Sequence, residues 1–187
     1  MADKNITTRI FRGNVNRDLQ VNYAYSYKDP SNPENKYPTI RRSQSGTYIF
    51  EHNYGLSISE GFQKSQLFIG NRLWNQFVTL LDKSVTLISE NLLEIFPDVN
   101  NTEFEIDQRA LERFQTEKAC STAGITIVPT VWVDQTNQCY PALEIKSLNG
   151  GCVIPLEDAI PLRTILNRID PIAYGYNAIL MMCSLLK

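Results

Sequence analysis

The sequence predicts an α+β fold in which antiparallel sheets pack on amphipathic helices, and three observations carry that expectation. Segments near the amino terminus alternate apolar and polar residues with a period of two, the signature of half-buried strands. From Leu73 to Ile95 the apolar residues recur instead at steps of three and four. A succession of strands closed by a helix is then met a second time between Ile125 and Ile169.

Thr7 to Arg12 is β-favouring. Leu19 to Tyr27 places Val21, Tyr23, Tyr25 and Tyr27 on one face and Asn22, Ala24 and Ser26 on the other, which is a strand with a tyrosine stripe. Residues 28–36 hold two prolines and several turn formers, so they read as an exposed loop. Thr47 to Tyr54 reads as a further strand with Tyr48, Phe50, His52 and Tyr54 on one side, ended or bent by Gly55. Ser65 to Ile69 is a short apolar strand stopped by Gly70 and feeding directly into a helix. Asn71 is the expected cap of that helix. Its apolar stripe is Leu73, Phe77, Leu80, Leu81, Val85, Ile88, Leu92 and Ile95, opposed by Gln76, Lys83, Glu90 and Asn91, and Phe96-Pro97-Asp98 closes it.

Residues 98–124 are polar and acidic, with a strand or a short helix between Phe104 and Lys118. Ile125 to Val133 reads as a strand with Pro129 at a bulge or edge. Asp134 to Asn137 forms a turn and Tyr140 to Leu148 returns, completing a hairpin. After Asn149-Gly150-Gly151 comes the strand Cys152–Ile154. Pro155 is then the expected first residue of a second amphipathic helix carrying Leu156, Ile160, Leu162, Ile165, Leu166 and Ile169. The layout is that of a doubled ββββα unit. At 187 residues the chain suits one domain spanning 1–187, built of two halves, 1–97 and 98–187, around a shared core.

This doubled arrangement resembles the Whirly-type single-stranded-DNA-binding proteins, and each half resembles the related transcriptional-coactivator fold that binds single strands as a dimer. Small phage and viral replication proteins share the general layout. The resemblance is one of architecture: no lysine-rich loop signature of the plant Whirly proteins can be matched to residues of this chain. It implies a sheet-borne groove for extended single strands, with helices forming the core or an oligomer interface.

Charge is unevenly distributed. The net charge is −2, yet residues 1–50 carry eight Lys/Arg against four Asp/Glu, while residues 51–150 carry seven against thirteen. A basic amino-terminal region on an otherwise acidic chain can present a polyanion site on one face. Single-strand binding needs cations for phosphates and flat rings for bases. Both are interleaved here: Arg9, Arg12, Arg17, Lys28, Lys36, Arg41 and Arg42 with Phe11, Tyr23, Tyr25, Tyr27, Tyr37 and Tyr48. The same tyrosines can equally pack one sheet face, with the arginines as solubilising charges.

Other chemistries find fewer residues. Cys120, Cys139, Cys152 and Cys183 contain no C-x-x-C pair, and His52 is the only histidine, so no zinc pattern is present and no cofactor or metal is expected. A histidine-based catalytic mechanism would have to use His52, which has no nucleophile motif nearby, and no phosphate-cradling glycine motif occurs. Glu103, Glu105 and Asp107 alternate as carboxylates in a polar stretch and read as a solvated face. Without a charged-then-apolar leader, the cysteines read as free thiols of a reducing compartment, cytoplasm or nucleus. The apolar run from Ala178 to Leu186 is about half the ~20 residues that span a bilayer.

The expectation is therefore a non-catalytic protein that binds single-stranded nucleic acid. The competing expectation is an assembly protein, forming homo-oligomers through strand edges and the apolar carboxyl-terminal segment. An adaptor or inhibitor acting through a sheet edge is a third.

Overall fold

The computed structural model describes residues 8–26, 40–42, 48–50, 53–60, 66–70, 73–116, 121–122, 124–147 and 150–170. Among them, β1 (Thr8–Arg12), β2 (Leu19–Ser26), β5 (Asn53–Glu60) and β6 (Gln66–Gly70) form an antiparallel sheet in the order β1-β2-β5-β6. The small hairpin β3 (Ile40–Arg42) and β4 (Tyr48–Phe50) is inserted between β2 and β5 in sequence. After β6 comes the helix α1 (Trp74–Glu90), followed by the short α2 (Leu92–Ile95) and α3 (Gln108–Thr116). A second antiparallel sheet, β7 (Ser121–Thr122), β8 (Ile125–Val133), β9 (Cys139–Ser147) and β10 (Gly150–Pro155), is again laid out in chain order and again followed by a helix, α4 (Leu156–Leu166). The doubled ββββα layout is present, with one hairpin added to the first unit.

One contiguous core serves both units. The inner face of the first sheet contributes Phe11, Val21, Tyr23, Leu56, Ile58, Leu67 and Ile69, and that of the second contributes Ile125, Ile127, Leu143, Ile145, Cys152 and Ile154. Between them α1 inserts Trp74, Phe77, Leu81, Val85 and Ile88. Each such side chain contributes about 1.5–3 kcal/mol through burial, which is why the three-and-four spacing dictates the helix. Gln76, Lys83 and Glu90 lie on its exposed side, as their spacing predicts. Arg163 of α4 ties the helices together: its guanidinium donates to Thr86 Oγ1 at 2.9 Å and lies 3.5 Å from Asp82.

Several boundaries differ from the sequence reading. The segment 47–54 is not one strand: β4 ends at Phe50 and β5 begins at Asn53. Gly55 does not end or bend β5, because it is paired on both sides, with Ala24 and with Gly70, and a two-sided ladder outweighs glycine's poor strand propensity. The long helix breaks at Asn91, whose side-chain amide donates to the Leu87 carbonyl at 2.8 Å. Helix α1 starts after Leu73 without a side-chain cap; Asn71 lies outside the described residues. The undecided acidic stretch contains α3, and Asp107 accepts the Ala110 amide hydrogen at 2.8 Å in the first turn of that helix. Pro155 closes β10 as the cap of α4 rather than opening the helix, with φ −52° and ψ 140°. Ile160 is 41% exposed, and Ala159 is buried in its stead. Pro129 lies opposite Leu143 of β9 and beyond the two-residue reach of β7, so among the described residues β8 is paired on one side only at this position, the edge setting a strand proline needs. No helix among the described residues is long and apolar enough to cross a membrane.

Candidate nucleic-acid interface

The alternation of β2 and β5 sorts the first sheet into two chemistries. Val21 and Tyr23 face inward, paired with Ile58 and Leu56, so Gln20 and Asn22 must face outward, paired with Ser59 and Ser57. In β1 the register slips between Arg9 and Phe11. That irregularity lets Phe11 enter the core while both Arg9 and Arg12 stay exposed, opposite Asn22 and Gln20 respectively. The outer face thus carries two cross-strand rows, Arg9–Asn22–Ser57 and Arg12–Gln20–Ser59. These rows present cations, amides and hydroxyls and no carboxylate. Glu60 belongs to the opposite parity, and one of its carboxylate oxygens accepts the Val153 amide hydrogen at 3.2 Å, closing the open side of β10.

The turn from β1 to β2 extends this surface. Arg17 is exposed, and its carbonyl accepts the Arg12 Nε–H at 3.1 Å, which fixes one guanidinium against the base of the other residue. Among the described residues Arg9, Arg12 and Arg17 have no ion-pair partner. The turn is held from the second unit. Asp158, fully buried in the first turn of α4, accepts the amide hydrogens of Asn14 at 2.7 Å, Val15 at 3.1 Å and Asn16 at 2.9 Å. Three successive amides converging on one carboxylate balance its charge without a cation. Such close approach requires glycine at position 13: an added Cβ would stand 2.1 Å from the Asn16 carbonyl oxygen and 2.8 Å from Asp158 Oδ2.

Tyr23 does not belong to the interface. It is 3% exposed and packs on Trp74, ring centroids 6.1 Å apart, so its ring offers no face for a base. The alternation of β2 follows the period of two as expected, and at Tyr23 that period leads into the core. Tyr25 lies in β2 opposite Tyr54, and Arg41, Arg42 and Tyr48 lie in the β3–β4 hairpin, where Arg42 pairs with Tyr48 and Arg41 with Ile49. Tyr27, Lys28, Lys36, Tyr37, His52 and the apolar run 178–186 lie outside the described residues.

Comparison with known proteins gives no match to a family model, a curated protein or a solved structure.

The outer face of the second sheet is different. Cross-strand rows run Trp132–Tyr140, Thr130–Ala142–Pro155, Val128–Glu144–Val153 and Thr126–Lys146–Gly151. Glu144 and Lys146 pair with each other at 2.9 Å. Asp134, in the hairpin turn, accepts hydrogen bonds from the Thr136 hydroxyl and amide, both at 2.7 Å, and from the Gln138 amide at 2.9 Å. These bonds, that of the Thr136 hydroxyl foremost, hold its carboxyl below the usual carboxylate range. Partial burial pushes the neighbouring Tyr140 hydroxyl up, and the negative charges of Asp134 and Glu157 add to it. Among the described residues no group of three or more His, Cys, Asp or Glu is placed to hold a metal ion.

Proposed function

We propose that the protein is a non-catalytic binder of single-stranded nucleic acid, engaging the strand with the outer face of its first sheet. The observation that supports this most is the carboxylate-free arrangement of Arg9 and Arg12 with Gln20, Asn22, Ser57 and Ser59, continued by Arg17. Unpaired guanidiniums attract phosphates, while amides and hydroxyls can donate to phosphate and sugar oxygens without reading sequence. A cationic rim on a regular sheet suits an extended chain. In this reading Arg41 and Arg42 add further cations, and Tyr25, Tyr27, Lys28, Lys36, Tyr37 and Tyr48 remain candidate contacts. The compartment that fits is a reducing one, cytoplasm or nucleus, where Cys139 and Cys152 stay as thiols.

The test is an anisotropy titration of a labelled single strand of about 30 nucleotides, with duplex as competitor, across a range of salt. Three phosphate contacts on a single strand correspond to a slope of about −2 in log K against log salt. Binding that is single-strand-selective, falls with salt and weakens in Arg9→Ala/Arg12→Ala supports the reading; no binding at low salt refutes it.

A second reading is homo-oligomeric assembly. It is favoured by the outer edge of β1, which pairs with no strand among the described residues, and by the exposure of Leu93 and Val133, 65% and 49%. Apolar association of that kind would persist or strengthen with added salt.

A further inference from the structure

Trp132 and Tyr140 stand outside the core. They are directly opposed on β8 and β9, with ring centroids 5.5 Å apart and planes inclined by 50°. Both are half-buried, so part of each ring remains open to solvent. Opposed rings on an antiparallel pair support each other and make one continuous apolar surface. In the next rows along the same face Ala142 and Val128 are covered, 0% and 9% exposed, so the ring pair is the apolar surface this end of the hairpin offers. Of the nearby carboxylates, Glu144 is paired with Lys146, while Asp134, held by its own turn, keeps its negative charge beside Tyr140.

The first turn of α4 joins this ring pair to the cationic β1–β2 turn. Strands β9 and β10 are paired as far as Ala142 and Pro155, and α4 begins at the next residue, so Glu157 emerges beside Tyr140. Its neighbour Asp158 grips the Asn14–Asn16 amides, in the turn that also carries Arg17 and is flanked by Arg12. The ring pair and the β1–β2 turn thus both adjoin the first turn of α4. From this juxtaposition we infer that Trp132 and Tyr140 form a stacking platform for unpaired nucleobases, with the adjoining arginines of the β1–β2 turn taking the phosphates. The inference rests on the single-strand reading above. It also gives the bound strand a polarity across its width: the Glu157 carboxylate repels phosphates from the ring side, and the arginines draw them to the other.

The chain has two tryptophans, and Trp74 is 2% exposed in the core, so only Trp132 can respond directly to a stacked base. The experiment titrates the full chain with oligothymidylate while following tryptophan emission and the anisotropy of a labelled strand together. Emission from Trp132 should be quenched with the same midpoint as the anisotropy rise. Trp132→Ala and Tyr140→Ala should each weaken binding roughly tenfold and leave the salt slope unchanged, because stacking releases no counterions. Trp132→Phe should keep most of the affinity while losing the quench. Arg12→Ala/Arg17→Ala should instead flatten the slope. The emission of Trp74 reports in every Trp132 and Tyr140 variant that the core is intact. Single-strand binding with unchanged Trp132 emission and wild-type affinity in both alanine variants would overturn the platform alone. No single-strand binding would overturn it together with the functional reading. Quenching by an arginine-rich peptide and not by oligothymidylate would overturn it in favour of a cationic partner.

Discussion

The two four-stranded sheets share strand order and a following helix, yet their outer faces have opposite chemistry. The first shows arginines among amides and hydroxyls; the second shows a Trp–Tyr pair and an internally paired Glu–Lys. Their inner faces, by contrast, are alike in being apolar, mostly branched aliphatic residues, with Phe11 and Tyr23 added in the first. The difference teaches that the repeated unit is a solution to packing, while the outer positions, free of the core, are where the halves diverge. Each half completes a contact of the other. The first sheet's cationic turn is held by Asp158 of the second unit, and the open side of β10 is closed by Glu60 of the first.

The strongest test of the division into inner and outer faces is Tyr23. Tyr23→Ala should cost about 3–5 kcal/mol of stability by cavity formation against Trp74, measured by denaturant unfolding. Tyr23→Phe should leave single-strand affinity at the wild-type value; a loss would return this ring to the interface. Next in size is the link between halves. Asp158→Ala strands three amide donors, one buried and two part-buried, and should cost about 3 kcal/mol. Glu60→Ala, which releases the part-buried Val153 amide among its contacts, should cost less than Asp158→Ala. Equal losses would mean that the two contacts between units are equivalent.

The cysteines sharpen the same contrast. Cys152 lies in the core, and burial foremost, with the Glu60 charge adding to it, pushes its thiol far up, whereas Cys139 is half-buried at the hairpin end of β9. Since the thiolate is the reactive species, Cys152 should resist alkylation until the protein unfolds, while Cys139 reacts in the native state; mass spectrometry of the labelled peptides distinguishes them. The smallest effect concerns Asp134. Its folded-state value is depressed, so its contribution is present above the usual carboxylate range and is lost as pH falls through the lowered value. The Thr136 and Gln138 amide resonances should therefore titrate at a pH below that of an unfolded aspartate, without global unfolding.

Periodicity made the core legible in the sequence. The α1 stripe, the β8–β9 hairpin and the alternation of β2 all follow from which residues must leave water. What periodicity does not say is which of two alternating faces is inward when both carry aromatic or polar residues, so Tyr23 reads equally as a ring for bases and as a partner of Trp74. The Arg9 and Arg12 rows were visible as charges but not as one face, because a register slip sets their common direction. Asp158 left no local signal: its partners are more than 140 residues away in sequence. Trp132 and Tyr140 did leave one. They flank the Asp134 turn at positions a hairpin places opposite each other, and pairing the two strands residue by residue would have found them.

The central claim is that the first sheet's cationic face holds phosphates, and the salt dependence of single-strand affinity tests it most directly. Wild-type protein and Arg9→Ala/Arg12→Ala/Arg17→Ala would be titrated with the same labelled strand at several salt concentrations. The account predicts a steep fall of wild-type affinity with salt and a slope reduced in the triple variant by about 2, the loss of three phosphate contacts. An unchanged slope in the triple variant, or no single-strand binding by the wild-type protein at low salt, would contradict it.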